Sequence, residues 1–97
     1  MKKEITENTL FDTAELFKNF ADSTRIRILY CLYNDEKNVT EICAELDMKQ
    51  PAISHQLKIL KQSKLIKNRR QGKTIYYSLD DEHVFNIINQ GIKHIKE

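Results

Sequence analysis

A chain of 97 residues with 40% hydrophobic and 31% charged residues has the size and composition of one globular domain, assigned here to residues 1–97. No apolar run approaches the roughly 20 residues needed to cross a bilayer, and the N-terminal segment carries no signal peptide. We therefore expect a cytoplasmic protein with no membrane partner. Cys31 and Cys43 both lie in apolar helical patterns and are expected to be buried free thiols rather than a disulfide.

The net charge of +2 conceals a strong segregation of charge. Residues 49–73 hold 8 of the 16 Lys and Arg residues, and no acidic residue occurs between Asp47 and Asp80. The rest of the chain carries 8 basic and 14 acidic residues, a balance of −6. One basic surface on an acidic body is typical of a protein that binds a polyanion, and we expect double-stranded DNA.

Helical spacing begins soon after the N-terminus, where residues 1–7 are polar and expected to fray. The first helix is predicted to end at residues 19–21, and its inward stripe consists of Leu10, Ala14, Phe17 and Phe20. A second stripe on this helix, Phe11 with Leu16, is suited to contact a partner.

Two further short helices are predicted before the basic segment. Asp22 and Ser23 offer capping side chains for the second helix. Its expected buried positions are Ile26, Leu29, Tyr30 and Tyr33. The third helix begins at Asn38 or Val39, with Thr40 as its cap. Its expected inward positions are Ile42 and Leu46.

The basic segment opens with a helix that follows a turn at residues 47–49. Pro51 is suited to the first turn of a helix, and the predicted buried stripe is Ile53, Leu57, Leu60 and Lys64. The opposite face carries Gln50, Ser54, His55, Lys58 and Lys61. Amides and hydroxyls suit base edges in the major groove, and lysines suit phosphates; an ordinary amphipathic surface helix is the alternative. Two short helices joined by such a turn predict a helix-turn-helix unit with the second as recognition helix.

Two runs rich in β-branched and aromatic residues follow, at 65–70 and 73–79. Gly72 between them suits the turn of a hairpin. The tip of this hairpin carries Arg69, Arg70, Gln71 and Lys73. The expected fold class is mostly α with a two-stranded β-hairpin wing, a winged helix-turn-helix. Its ribbon is expected beside the DNA backbone or minor groove.

Three segments resemble the signature segments of the ArsR/SmtB family of bacterial metal-sensing repressors: FADSTRIRIL at 20–29, AISHQLKIL at 52–60 and RQGKTIYYSL at 70–79. The similarity covers nearly the whole chain. It implies a homodimer, paired through its first and last helices, that binds an inverted-repeat DNA operator and leaves it on binding an inducer. By position, Gln50, Ser54 and His55 would contact base edges and residues 69–73 would form the wing contacts.

The resemblance also bears on the inducer. One common site of the family uses a Cys-Val-Cys segment in the third helix. The matching residues here are Asn38, Val39 and Thr40, and Cys43 lies three residues farther on without a second cysteine nearby. That thiolate site is absent from the sequence, which argues against cadmium, lead or arsenite as the inducer.

The last predicted helix, residues 80–97, begins with three acidic residues, which suit the positive end of a helix dipole. One stripe is suited to packing on a partner: Val84, Ile88, Gly91 or Ile92, and Ile95. A second stripe contains His83 and His94, which differ by about 20° around the axis but lie roughly 16 Å apart along it. These two histidines cannot share one ion within one helix.

In an antiparallel pair of helices related by a two-fold axis, the end with His83 lies beside the partner's end with His94. Each site would collect Asp81 and His83 from one copy with His94 and Glu97 from the other, and such an N2O2 set suits tetrahedral zinc. The pattern is similar to the family's last-helix zinc site. The alternative is that Asp81 only caps the helix and the exposed histidines bind nothing.

The sequence therefore predicts a zinc-responsive repressor, with cobalt or nickel as the alternative inducers. Two other readings stay open. A thiol- or redox-responsive regulator would need Cys31 or Cys43 to be exposed and acidic. A constitutive winged helix DNA-binding protein would use the last helix for dimerisation alone. An enzyme with a small-molecule substrate is not expected, because no histidine has a nucleophile or oriented acid beside it.

Overall fold

The computed structural model describes residues 4–97 and shows five helices and three strands in this range. In chain order they are Glu7–Lys18 (α1), Ser23–Cys31 (α2), Lys37–Asn38 (β1), Val39–Leu46 (α3), Gln50–Gln62 (α4), Ile66–Gln71 (β2), Thr74–Leu79 (β3) and Glu82–Lys96 (α5). The prediction that residues 1–7 fray falls partly on residues 1–3, which lie outside the described residues. None of the described helices is long and apolar enough to cross a membrane.

α1 begins at a side-chain cap but buries little of its apolar surface. The Thr6 hydroxyl accepts a hydrogen bond from a first-turn N–H at 3.1 Å, which satisfies one of the free donors of that turn. Leu16, expected to face a partner, instead packs against the core together with Phe20. The predicted inward stripe is wrong at Leu10, at Ala14 and at Phe17, which is 52% exposed, because no other described part of the chain covers these residues.

α2 is capped by Asp22, as predicted, whose carboxylate accepts the Arg25 N–H at 3.1 Å. Its buried face differs from the prediction and consists of Ile28, Leu29, Cys31 and the following Leu32. Tyr30 is 56% exposed, and Ile26 and Tyr33 are half-buried. The run ILYCLY places apolar residues all around the helix, so only packing against the other elements selects the buried face.

α3 is capped by Asn38 rather than by Thr40. The Asn38 side chain accepts the Glu41 N–H at 2.8 Å, and the Glu41 carboxylate accepts the Asn38 N–H at 2.9 Å, a reciprocal capping box. Asp47 ends the helix in the left-handed conformation with φ of 54°. The predicted turn into α4 is therefore present, and Ile42 is buried as expected.

α4 follows this turn and buries three of its four predicted positions, Ile53, Leu57 and Leu60. Lys64 does not belong to the stripe, since it lies beyond the helix with φ of 62° and is exposed. Leu65 takes the buried place, and its N–H donates to the Leu60 carbonyl at 3.0 Å. Truncation of such a buried leucine to alanine costs about 2–5 kcal/mol, so these contacts fix the orientation of α4.

β2 and β3 form the predicted hairpin, in a register that runs from Ile66 opposite Leu79 to Gln71 opposite Thr74. Gly72, with φ of 64°, is the first residue of the two-residue turn between them. The predicted two-stranded wing gains a third strand, because β1 pairs with β3 in the order β1-β3-β2. A strand of two residues has no periodicity from which it could be predicted.

The stripe of α5 that the sequence predicts to face a partner is buried at one end and exposed at the other. Val84 and Ile88 are buried in the core of their own chain, whereas Ile95 is 83% exposed. Tyr33 and Phe85 stack with ring centroids 4.2 Å apart, which joins the start of α5 to the end of α2. The N-terminal half of α5 therefore stabilises the monomer, and its C-terminal half presents uncovered apolar surface.

Candidate DNA-binding surface and metal site

The solvent face of α4 gathers the side chains that the sequence predicts to contact DNA. All five are exposed: Gln50, Ser54, His55, Lys58 and Lys61. Gln50, Ser54 and His55 lie in the N-terminal half of α4, and the two lysines lie farther along it. Because the buried stripe holds the opposite side of α4 in the core, this face is directed outward. Hydrogen-bonding groups thus precede cationic groups along one helix face, an arrangement suited to base edges and phosphates.

A hydrogen-bond network that the sequence did not reveal holds α4 from the side. Arg25 Nε donates to Gln56 Oε1 at 2.9 Å, and Arg25 Nη1 donates to Asn19 Oδ1 at 3.3 Å. Asn19 ends α1, Arg25 lies on α2 and Gln56 lies on α4. One part-buried arginine therefore ties the recognition helix to α1. The only sequence signal was an arginine within the segment 20–29.

The hairpin supplies a second basic surface. Arg70, Gln71 and Lys73 are exposed at or beside its tip. Among residues 4–97, Arg70 and Lys73 have no ion-pair partner. Arg69 differs from them, because its guanidinium is paired with Glu36, in the loop before β1. No pattern in the sequence predicts this contact between distant residues.

Asp81 and His83 lie side by side at the start of α5. Asp81 Oδ1 accepts the backbone N–H of His83 at 2.8 Å and that of Val84 at 3.3 Å, which makes Asp81 the N-cap. Its other oxygen, Oδ2, lies 3.2 Å from His83 Nδ1. Partial desolvation acts to raise the pKa of Asp81, but the hydrogen bonds from Val84 and His83 outweigh it and lower this pKa. An ionised carboxylate and an imidazole are therefore paired here at neutral pH.

His94 and Glu97 lie at the opposite end of α5, and both are exposed. Glu97 is the C-cap residue, and its N–H donates to the Lys93 carbonyl at 3.2 Å. Within the described part of one chain, no three His, Cys, Asp or Glu residues come close enough to hold a metal ion. The four predicted ligands therefore lie as two pairs at the two ends of α5, and a single copy does not bring the two pairs together.

An apolar groove lies between α1 and α5. It has a volume of about 470 Å³, and its lining includes Phe17, Phe20, Ile26, Ile88, Ile92 and Ile95. Leu10 and Phe11 extend the exposed apolar surface along α1. Contiguous apolar surface of this kind is typical of a protein interface. The first and last helices thus carry the surface on which the sequence predicts dimerisation.

Comparisons with known proteins agree with this architecture. Residues 22–68 match the profile described as bacterial regulatory protein, arsR family. The chain is 35% identical over 97 residues to the cadmium resistance transcriptional regulatory protein CadC homolog of Staphylococcus aureus, which covers 99% of this chain and 80% of that protein. The chain belongs to the ArsR family.

Two further comparisons extend this result. The ArsR-family chain is 39% identical over 84 residues to the transcriptional repressor SmtB homolog of Synechocystis sp., which covers 87% of this chain and 64% of that protein. It thus spans somewhat less than two thirds of the length of that relative. A homodimeric winged helix-turn-helix DNA-binding domain from Mycobacterium bovis superimposes with a TM-score of 0.84 at 28% identity, covering 91% of this chain and 82% of that one.

These comparisons confirm the family resemblance and the winged helix-turn-helix fold class that the sequence predicts. The relatives are transcriptional regulators, so the prediction of a DNA-binding regulator rather than an enzyme is confirmed at the level of the family. The relative from S. aureus is named for cadmium resistance.

The cysteines of this ArsR-family chain are both free thiols. Burial, followed by a hydrogen bond with Glu45, raises the pKa of Cys31 to about 11. Cys31 is buried as predicted, whereas Cys43, on α3, is only half-buried. A thiol that stays protonated at neutral pH is a poor nucleophile and a poor metal ligand. Cys31 therefore does not suit a thiol-responsive regulator.

Proposed function

We propose that this protein is a zinc-responsive transcriptional repressor. It binds an inverted-repeat operator in double-stranded DNA as a homodimer and leaves the operator when zinc binds. The observation that carries the proposal is the presence of one carboxylate and one imidazole at each end of α5, Asp81 with His83 and His94 with Glu97. Because its proposed partner is DNA, we expect the protein to act in the cytoplasm.

The donor set at these ends fits zinc. Asp81 uses Oδ1 to cap α5, which leaves Oδ2 directed at the imidazole of His83. An antiparallel pair of α5 helices would add the partner's His94 and the partner's Glu97 and so complete a set of two nitrogens and two oxygens. Zinc accepts four such ligands in tetrahedral geometry. When bound, the ion would link the two α5 helices of the dimer.

The apolar groove between α1 and α5 supports dimerisation through these helices. Phe17 and Ile95 line it and are largely exposed in one chain. Burial of such side chains stabilises a dimer by about 1.5–3 kcal/mol for each fully buried side chain, before the entropic cost of association. The homodimeric domain from M. bovis has the same fold, which is consistent with this assembly.

Two surfaces are proposed to contact DNA. In the first, Gln50, Ser54 and His55 approach base edges in the major groove, while Lys58 and Lys61 neutralise phosphates. In the second, Arg70, Gln71 and Lys73 of the hairpin approach the DNA backbone. Two copies of α4 related by a two-fold axis would occupy successive major grooves of an inverted repeat, so operator affinity depends on the spacing of the two copies.

A direct contact gives the metal site a path to the recognition helix. The Asp80 N–H, just before α5, donates to the Leu65 carbonyl, just after α4, at 3.0 Å. β3 ends at Leu79, and only two residues separate it from the start of α5. A change in the relative position of the two α5 helices would therefore move the wing and α4 together. Zinc and DNA binding weaken each other by the same factor, about 5- to 150-fold for the usual coupling.

The test uses His94→Ala, with Gln90→Ala as the matched control. Both residues lie on the exposed stripe of α5, but only His94 is a proposed ligand. We expect His94→Ala to keep the fold, the dimer and operator affinity while losing zinc-induced release, measured by fluorescence anisotropy of a labelled operator. Calorimetric titration should show one zinc ion per protomer in the parent and in Gln90→Ala. Release of His94→Ala at the parent's zinc concentration would show that this site is not the sensor.

The measurement of operator release, repeated with different metal ions, identifies the metal. Cadmium favours thiolate ligands, whereas the proposed ligands at the two ends of α5 offer only imidazole and carboxylate groups. We therefore expect zinc to release the operator at lower free concentration than cadmium, and cobalt and nickel to compete with zinc. Release by cadmium that is lost in Cys43→Ser would favour the thiol-responsive alternative. The absence of release by any metal would favour a constitutive DNA-binding protein.

A further inference from the structure

Arg69 makes the most extensive set of side-chain contacts on the wing. Its Nε donates to Glu36 Oε1 at 2.8 Å and its Nη2 donates to Glu36 Oε2 at 2.7 Å, a bidentate pair. Its Nη1 donates to Gln71 Oε1 at 2.8 Å. The guanidinium carbon also lies 4.9 Å from the ring centroid of Tyr76. Three nitrogens and one face of this guanidinium are therefore engaged within the chain.

These contacts cross the whole sheet. Glu36 directly precedes β1, Tyr76 lies on β3 and Arg69 lies on β2, and the strand order is β1-β3-β2. Tyr76 is opposite Arg69 on one side and opposite Asn38 on the other. Because an isolated two-stranded hairpin is marginally stable in water, its orientation depends on contacts to the rest of the chain. The Arg69–Glu36 pair supplies such a contact where β1 is only two residues long.

The neighbouring basic residues are arranged differently. Arg70 follows Arg69 on β2, so its side chain leaves the opposite face of the strand, and its register partner is Ile75. Lys73 lies in the two-residue turn. Among residues 4–97 neither side chain forms an ion pair with an acidic group. Their charges are therefore available to a phosphate, whereas the charge of Arg69 is already neutralised.

We propose that Arg69 is a positioning residue of the wing and not a DNA contact. Its bidentate pair with Glu36 fastens the hairpin to the loop before β1, at the angle that brings Arg70 and Lys73 to the DNA backbone. This inference rests on the proposed DNA-binding function and divides the predicted wing contacts into two roles. It assigns Glu36, an acidic residue beside a basic surface, a part in operator binding.

A charge exchange tests the proposal. We expect Glu36→Arg and Arg69→Glu each to weaken operator binding about 3- to 10-fold, and the double variant to recover to within about 3-fold of the parent. The double variant has the net charge of the parent. Glu15→Gln, which removes a carboxylate from the exposed Lys18–Glu15 pair on α1, is the control and should bind like the parent.

A direct contact of Arg69 with DNA would give different results. If Arg69 contacts a phosphate, the double variant binds no better than Arg69→Glu, because a glutamate then faces the DNA backbone. Arg69→Ala would in that case also reduce the dependence of log affinity on log salt by roughly 0.9 for each lost contact, as Arg70→Ala should. Circular dichroism confirms folding of each variant. Failure of the parent itself to bind DNA would refute the proposed function rather than the role of Arg69.

Discussion

Asp81 has one observed role, as a helix cap, and one proposed role, as a zinc ligand, and substitution can separate the two. Its Oδ1 caps α5 through the N–H groups of His83 and Val84, and its Oδ2 faces the His83 imidazole as a proposed zinc ligand. Asp81→Asn keeps an oxygen acceptor that caps a helix as well as aspartate does. It replaces the second oxygen by an amide nitrogen that cannot bind zinc. Asp81→Ala removes both groups.

The expected magnitudes follow from these contacts. Loss of an N-cap lowers the melting temperature of a domain of this size by about 4–8 °C, so Asp81→Ala should melt that much below the parent and Asp81→Asn within about 2 °C of it. Both variants should bind zinc more than about 100-fold more weakly, because even outer-shell partners of a metal contribute 10- to 100-fold. Thermal melting of the metal-free protein and calorimetric zinc titration measure the two effects separately.

The pH dependence gives this prediction a sign. The pKa of Asp81 is lower in the folded protein than in the unfolded chain, so its contribution to stability is present above the unfolded pKa and is lost as pH falls through the folded pKa. The difference in melting temperature between the parent and Asp81→Ala should therefore shrink in acid. Full zinc affinity in Asp81→Asn would refute the role as ligand. An equal loss of melting temperature in both variants would refute the role of Oδ1 as cap.

Two further predictions concern the DNA surface and the thiols. Arg70→Ala or Lys73→Ala should weaken binding to operator and to random DNA about equally and reduce the salt dependence of binding. Ser54→Ala or His55→Ala should instead reduce the ratio of operator affinity to random-DNA affinity. Competition anisotropy at several salt concentrations checks both, and a wing variant with unchanged affinity would contradict the placement of the hairpin on DNA. Because the pKa of Cys31 is raised to about 11, the folded protein should lose stability as pH rises from about 9 toward 11. The Cys31 thiol should also resist alkylation at pH 8 until the chain is unfolded, which mass spectrometry can follow. Rapid labelling of this thiol in the native protein would contradict its burial.

Local pattern in the sequence was sufficient for the recognition helix and the wing. Ile53, Leu57 and Leu60 follow helical spacing opposite a polar face, which was sufficient to place these three residues in the core but not to exclude Lys64 from the stripe. Gly72 sits where the hairpin needs a positive φ, which glycine adopts without steric cost. The spacing of His83 and His94 likewise required a second copy for any shared ion, because the geometry of an α-helix sets their separation.

Packing decided the points on which several local solutions were equally good. The cap of α3 is an exception, because a local signal decides it: Glu41, three residues after Asn38, forms reciprocal hydrogen bonds with Asn38 and so favours Asn38 over Thr40. Tyr30 lies on α2 and Leu32 directly follows it, and both belong to the same apolar run, but only Leu32 is buried. Local periodicity cannot distinguish such alternatives, since their difference in free energy arises from contacts with other elements.

The sequence by itself thus determined the fold class, the exposed basic face of α4 and the pairing of one carboxylate with one imidazole at each end of α5, because each follows from local periodicity or from charge along the chain. Only the tertiary structure decided that Arg25 holds Gln56 and that Arg69 is bound by Glu36, pairs separated by 31 and 33 residues. In the sequence alone, an arginine that is bound within its own chain cannot be told from one that is free to bind DNA. Whether an arginine meets DNA or an acid of its own chain depends on which distant residues the fold brings within hydrogen-bonding distance.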